Sequence, residues 1–333
     1  MVKKNLFLHI GYPKTGTTTM QECISLQIKG VKSFIPNVDH EYLRSLSDDK
    51  VFNDNYIVKQ LVENFIFEDY DPRKSLALLG GVKENKIFIS TTGPLSALFF
   101  KGRFVGKDKH LKPEQVAKRI SEVFSEEFDV KVIISIRRQS DWIPSAFAEW
   151  HQYFSKISDY SSLDKFVSSF KDLNSEFAQD INYSNVVTPF EKILGKDNIY
   201  IAVFEQLKRD PVNYYRSLIG FMGGDIDGAL LENVPKRNVR ETAGEQKRVN
   251  VLTLSQLLFF YKLRYFPNLS LGLIKRFPIG LNLLSKVKWP SNNQSEKIKI
   301  SEDDVQEIFT LYQEENMNLS ERYNLGLDVY GYY

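Results

Sequence analysis

Leu8-His9-Ile10-Gly11-Tyr12-Pro13-Lys14-Thr15-Gly16-Thr17-Thr18-Thr19 stands near the start of the chain and decides its fold class. The apolar run Leu6–Ile10 reads as a β-strand, glycines at 11 and 16 bound a short loop, and Thr17–Lys29 reads as the helix that follows. A strand, a glycine-bounded loop and a helix start aim backbone N–H groups and the positive end of a helix at one place, which is how proteins hold anions. Hydroxyls at 15, 17, 18 and 19 add donors, and Lys14 adds a full charge. A plainer reading is a threonine-rich helix cap, since Thr is common at helix starts.

The spacing nearly matches the nucleotide loop G-x-x-x-x-G-K-[ST], with Gly11, Gly16 and Thr18 in register. Thr17 occupies the lysine position, and the lysine lies inside the loop at 14. Further along, short apolar runs alternate with helical stretches, the pattern of a parallel α/β sheet. Lys86–Ser90, Lys131–Ile136 and Asn198–Phe204 read as strands, with Gly30–Pro36 as a further one. Helices are expected over Glu114–Phe128, Trp142–Phe154, Leu163–Phe170, Val186–Leu194, Asp210–Met222 and Glu302–Asn324. Neither repeats nor low-complexity tracts interrupt them. The expectation is one α/β domain over 1–333, a P-loop NTPase-like three-layer fold with a central, mainly parallel sheet flanked by helices and a helical C-terminal cap within about 236–300.

The 333 residues carry 44 Lys+Arg against 42 Asp+Glu, a net charge of +2. That balance lacks the basic excess a general nucleic-acid binder uses to displace counterions, so no nucleic-acid partner is expected. A lone Cys23 excludes an internal disulfide, and four His with one Cys offer few ligands for a metal, so none is expected. The first apolar run is shorter than the roughly 7–15 residues of a signal peptide. No window reaches the ~20 apolar residues of a spanning helix. These features point to a cytoplasmic chain without a transmembrane segment.

The third strand runs into Ile136-Arg137-Arg138-Gln139-Ser140-Asp141-Trp142-Ile143-Pro144-Ser145. A Mg²⁺-dependent nucleotide hydrolase would place a carboxylate at that strand end; here two arginines stand there. Arg137, Asp141 and Ser145 recur at i, i+4 and i+8. A guanidinium grips a phosphate with paired donors and a hydroxyl adds one more. The plainer alternative is an Arg–Asp pair at the start of a surface helix.

The string Leu8 to Gln21, and Tyr12-Pro13-Lys14-Thr15-Gly16-Thr17-Thr18 within it, resembles the 5′-phosphosulfate loop of sulfotransferases that use 3′-phosphoadenosine 5′-phosphosulfate (PAPS), bacterial polysaccharide or carbohydrate types included. The resemblance implies that Lys14, Thr15, Gly16, Thr17, Thr18 and Thr19 bind the 5′-phosphosulfate and that Arg137 and Ser145 bind the 3′-phosphate. It implies PAPS as donor, with 3′-phosphoadenosine 5′-phosphate (PAP) leaving and no metal. Phe204-Glu205-Gln206-Leu207-Lys208-Arg209-Asp210-Pro211 matches another segment of that family. It is read here as structural, with Asp210 capping a helix that Pro211 begins. Tyr183-Ser184 and the ending Tyr323…Tyr330-Gly331-Tyr332 also resemble the bacterial types. Arg237 or Arg240 stands where relatives close a loop over the nucleotide, and Arg240 is carried forward as a 3′-phosphate contact.

The chain departs from the family's pattern at the general base. Relatives carry a Ser-Ser-Glu-like turn after the second strand, where this chain has Ser90-Thr91-Thr92-Gly93-Pro94. The resemblance offers His40 for the role, because bacterial relatives often show a His after the extra strand; the plainer alternative is a surface histidine. His9 reads as a core histidine, His110 as solvated, and Glu149 and His151 as groups on the Ser145 helix that could face the cleft. From Lys236 to Trp289, eleven Lys and Arg stand against Glu241 and Glu245 among bulky apolar residues. Such a stretch forms a helical cap, or a surface for peripheral docking on anionic lipid at the inner membrane face or on an anionic glycan. The leading expectation is a PAPS-dependent sulfotransferase acting on a hydroxyl, that of a carbohydrate (polysaccharide or glycolipid) as the resemblance implies. The other readings are a P-loop kinase or NTPase and a non-catalytic PAPS- or PAP-binding protein.

Overall fold

A computed structural model describes residues 3–35, 76–77, 79–90, 112–157, 162–234 and 298–333. In chain order its elements are β1 (Lys4–His9), α1 (Thr17–Thr19), β2 (Lys32–Phe34), β3 (Lys86–Ser90), α2 (Pro113–Phe124), β4 (Phe128–Ile136), α3 (Gln139–Ile157), α4 (Leu163–Ser168), α5 (Glu176–Ile181) and α6 (Tyr183–Leu194). Then come β5 (Ile199–Val203), α7 (Phe204–Arg209), α8 (Pro211–Phe221), α9 (Gly228–Glu232) and α10 (Glu302–Tyr323). The strands pair in the order β2-β3-β1-β4-β5, every neighbouring pair parallel.

Strands buried on both faces need apolar side chains at successive positions, and the sequence of β1, β3 and β4 supplies them. Leu6, Leu8, Ile87, Ile89, Val132 and Ile134 face a core formed with α2, α3, α6 and α10. Phe7, Phe88, Ile133 and Ala202 face a second core with Met20, Ile24 and the buried side of α8. Each fully buried Leu, Ile or Phe contributes about 1.5–3 kcal/mol. Helix, sheet and helix make the three layers. α2 shows how local sequence sets a layer: Pro113 begins it, Gln115 accepts from the Lys112 N–H at 2.8 Å, and Val116, Ala117, Ile120, Val123 and Phe124 form its buried stripe.

The topology places the site. From β1 the chain moves to β2 and β3 on one side, and from β4 it moves to β5 on the other. The crevice beyond the C-terminal tips of β1 and β4 is therefore the switch point at which open α/β sheets bind ligands.

Several boundaries differ from expectation. The helix expected to reach Phe128 ends at Phe124, and Phe128 opens β4. The two rings meet edge-on at 6.1 Å, so an i, i+4 apolar spacing spans a turn. The helix expected over Thr17–Lys29 is an α-turn followed by a π segment, Met20–Ile24, and a 3₁₀ turn, Ser25–Gln27. Phe204, expected at the end of a strand, begins α7; α5 and α9 had no strong signal. Asp210 caps α8 as expected, accepting from the Asn213 N–H at 3.1 Å. The basic stretch Lys236 to Trp289, with Arg237 and Arg240, and also His40 and His110, lie outside the described residues, as do the side chains of Glu149 and His151. Among the described residues no helix is long and apolar enough to cross a membrane.

Candidate functional site

The loop after β1 is bolted to β4. The Ile10 N–H donates to the Ile133 carbonyl at 3.0 Å and the Tyr12 N–H to the Ser135 carbonyl at 3.1 Å, which prolongs the ladder past the last strand residue. Between these bonds Gly11 lies so close to β4 that a Cβ would stand 2.3 Å from the Ser135 nitrogen. Thr15, buried, donates its hydroxyl to the Tyr12 carbonyl. Trp142 Nε1 donates to the Pro13 carbonyl at 2.9 Å, and the Tyr12 hydroxyl to the Asp180 carbonyl at 2.5 Å. The Tyr12 ring also meets Tyr183 edge-on at 5.0 Å.

Lys14 has φ 67° and Gly16, the residue before α1, has φ 78°. A non-glycine in the left-handed region costs about 1–2 kcal/mol, so the bonds around Lys14 hold it there. Left-handed residues within a turn form the backbone concavity that binds anions. Thr17, Thr18 and Thr19 follow as the first helical turn. Lys14 to Thr19 run as one continuous turn into α1 at the switch point.

Arg137 follows β4 directly, and its Nη1 donates to the Lys14 carbonyl at 3.0 Å. Its guanidinium lies 4.9 Å from the centroid of the Phe204 ring. Its Nε is buried and makes no hydrogen bond. An unsatisfied buried donor is costly and marks a place where a ligand oxygen would be gained. Burial draws the Arg137 pKa below its usual value, while Asp141 and Glu205 pull the other way. The Arg–Asp pair of the plainer alternative does form, but with the next residue: Arg138 reaches Asp141 Oδ2 from Nη2 at 2.8 Å and from Nε at 3.2 Å. Glu205 accepts from the Arg138 N–H at 3.2 Å and from the Tyr332 hydroxyl at 2.7 Å. The Tyr183 hydroxyl donates to the Arg137 carbonyl. Both nearby carboxylates hydrogen-bond to other groups and act on Arg137 only from a distance.

Ser145 is buried on α3, one turn beyond Asp141 and on the same helix face. Phe204, Glu205, Lys208 and Tyr332 were not expected at the site. Their segments resemble the family, with Phe204 to Pro211 read as structural; the further signal is position, since Phe204-Glu205 follows a strand tip, where ligands of such sheets gather.

Beneath the loop runs a buried polar chain across three strands. Gln21 Nε2 donates to Ser90 Oγ at 2.9 Å. His9 Nδ1 lies 2.9 Å from Ser90 Oγ and His9 Nε2 lies 2.7 Å from Ser135 Oγ. Ser90 Oγ accepts from Gln21 and also meets His9, so both ring nitrogens of the imidazole have a hydroxyl partner whichever tautomer is present. His9 is thus the core histidine expected, and burial pushes its pKa down from 6.5 to about 4. Between those values the unfolded chain binds a proton that the folded chain refuses. The stability from neutral His9 is whole above pH 6.5 and is lost as pH falls toward 4, about 3 kcal/mol in all. Urea unfolding at pH 7 and pH 4.5 should show most of that loss, and His9→Gln should remove that share of it. An unchanged slope in the variant would assign the acid sensitivity to other groups.

Residues 4–258 match the family described as "Sulfotransferase domain". Among solved structures, the chain is similar to a sulfotransferase from Alicyclobacillus acidocaldarius, with 13% identity, 99% of each chain covered and a TM-score of 0.51. It also aligns with mouse sulfotransferase SULT7A1 complexed with PAP (16% identity, 70% of this chain and 64% of that one, TM-score 0.39). A sulfotransferase domain from the curacin biosynthetic pathway aligns at 12% identity over 94% and 98% of the two chains, with a TM-score of 0.42. At these identities the first likeness shows a shared fold, and the other two carry no argument. No curated protein sequence matches the chain.

Proposed function

The chain belongs to the sulfotransferase domain family, and from that premise we propose that it moves a sulfuryl group from PAPS to an acceptor hydroxyl, a carbohydrate hydroxyl by resemblance to the bacterial types. The observation that carries the reading is the bond from Arg137 to the Lys14 carbonyl. It joins two anion-binding elements, one at each of two neighbouring strand tips, as a bis-phosphorylated adenosine requires. In this reading Lys14 and the amides and hydroxyls of Thr15 to Thr19 hold the 5′-phosphosulfate, and Arg137 and Ser145 hold the 3′-phosphate. Arg240 adds a further 3′-phosphate contact.

Sulfuryl transfer shares the in-line, loose transition state of phosphoryl transfer, with charge on the peripheral oxygens and the leaving oxygen. Fixed donors that meet that charge lower the barrier without reorganising. Lys14 supplies the full charge at the bridging oxygen as its bond to sulfur breaks. The acceptor oxygen bonds to sulfur, its proton passes to a base, and PAP departs. His40 is the proposed base.

Calorimetry without added metal tests the nucleotide assignment. PAP should bind far more tightly than ADP or ATP. Arg137→Ala should weaken PAP by about 10²-fold, since each hydrogen bond to a charged group is worth about 1.5–3 kcal/mol, and should leave ADP nearly unchanged. Equal affinity of the wild-type protein for PAP and ADP would overturn the proposal. Mg²⁺-dependent ATP turnover would replace it with a kinase-like reading.

A further inference from the structure

The loop and Arg137 do not exhaust the positive charge at this crevice. α7 starts where β5 ends, so its first turn packs on the loop: a Cβ on Gly16 would lie 2.5 Å from Leu207 Cδ2 and 3.2 Å from the Phe204 ring. The next residue, Lys208, places its ammonium 4.9 Å from the centroid of that ring. The Arg137 guanidinium stands at the same distance from the same centroid. Both cations therefore lie within about one Debye length of each other, partly shielded from water. Burial and then the charge of Arg137 lower the Lys208 pKa.

Neither cation is paired directly with a carboxylate among the described residues, although Asp141 and Glu205 favour the charged form of both. Asp141 is taken by Arg138, and Glu205 by the Arg138 N–H and the Tyr332 hydroxyl. Among the described residues, neither Arg137 nor Lys208 forms an ion pair. Two like charges on one ring are unfavourable unless a ligand with more than one negative charge joins them. A phosphate monoester carries about −1.5 to −2 at neutral pH and has three acceptor oxygens.

We propose that Lys208 is a nucleotide-binding residue that shares with Arg137 a single phosphate monoester, the 3′-phosphate. This rests on the PAPS reading above and goes beyond it, because it adds a cation from α7 to a pocket otherwise formed at the β1 and β4 tips. The Phe204 ring is the common platform against which both cations pack.

The test compares PAP with adenosine 5′-phosphate, which lacks the 3′-phosphate, on the wild-type protein, Lys208→Met and Lys208→Arg. Methionine keeps an apolar stem over Phe204 and removes the charge; arginine keeps the charge. Lys208→Met should weaken PAP about tenfold and adenosine 5′-phosphate less than twofold, and Lys208→Arg should recover most of the loss. A thermal midpoint close to wild type for both variants confirms that the comparison is between folded proteins. PAP affinity unchanged in Lys208→Met, or an equal loss for both nucleotides, overturns the assignment of Lys208 alone. A wild-type protein that binds PAP no better than adenosine 5′-phosphate brings down the nucleotide reading together with it.

Discussion

Lys14→Ala is expected to bind PAP within about tenfold of the wild-type protein while transferring sulfuryl groups some 10²–10³-fold more slowly, the range for removal of a group that meets transition-state charge. The backbone makes the variant a clean one. Lys14 sits at φ 67°, and alanine tolerates that region no better and no worse than lysine, so the loop keeps its strain and loses only the side chain. Binding of PAP is spread over the loop amides, the threonine hydroxyls and Arg137, whereas the bridging oxygen becomes strongly charged only as its bond to sulfur breaks. A group that acts there lowers the turnover number more than it tightens the ground state. Single-turnover transfer from labelled PAPS, set beside PAP calorimetry, separates the two. Affinity falling as steeply as rate would make Lys14 a general phosphate holder and move the burden of catalysis to another residue.

The parts of this site that could be read in the sequence are those whose geometry is local. Gly11, Lys14 and Gly16 are fixed by spacing within one loop, and the strand before it and the helix after it are adjacent in the chain. Arg137 was legible because it ends an apolar strand where a carboxylate would otherwise stand. Which of two adjacent arginines would take Asp141 was not, because i+3 and i+4 partners are equally near on a helix; only the bond from Arg137 to the Lys14 carbonyl separates their roles. Lys208, Glu205 and Tyr332 come to the site through the packing of α7 and the turn after α10; the resemblance of their segments to the family pointed to structure, and gave no role to these three side chains. Phe204 shows the same limit from the other side. Its apolar character continues the β5 pattern, yet the ring is needed above Gly16, so the strand stops one residue early. His9 illustrates a reading that was right in kind and incomplete in content. Its place inside a strand implied burial, but the partners Ser90 and Ser135 become visible only once the β3-β1-β4 register sets them side by side.

Gly11→Ala should have the largest effect on stability of any single methyl added to this loop. The added carbon would lie 2.3 Å from the Ser135 nitrogen, 2.6 Å from its Cβ and 2.8 Å from its Cα. Two of those atoms are backbone, which no rotamer change moves aside. Relief requires the loop to part from β4, and the Tyr12 N–H and Ile10 N–H bonds to that strand stretch together. Overpacking of this kind costs about 1–3 kcal/mol, and each lost backbone bond adds about 1. A total of roughly 3–5 kcal/mol corresponds to a fall in Tm of about 4–7 °C for a chain of this length. Gly30→Ala is the matched control: its φ is 76°, so it bears the left-handed penalty of about 1 kcal/mol, but nothing lies within 4 Å of the added carbon. Differential scanning calorimetry should show a large drop for Gly11→Ala and a small one for Gly30→Ala. PAP binding should vanish only in the first, because moving the loop off β4 also pulls Lys14 away from Arg137. If Gly11→Ala melts with the control and still binds PAP, the loop is not pinned to β4, and the joining of two anion pockets into one site loses its mechanical basis.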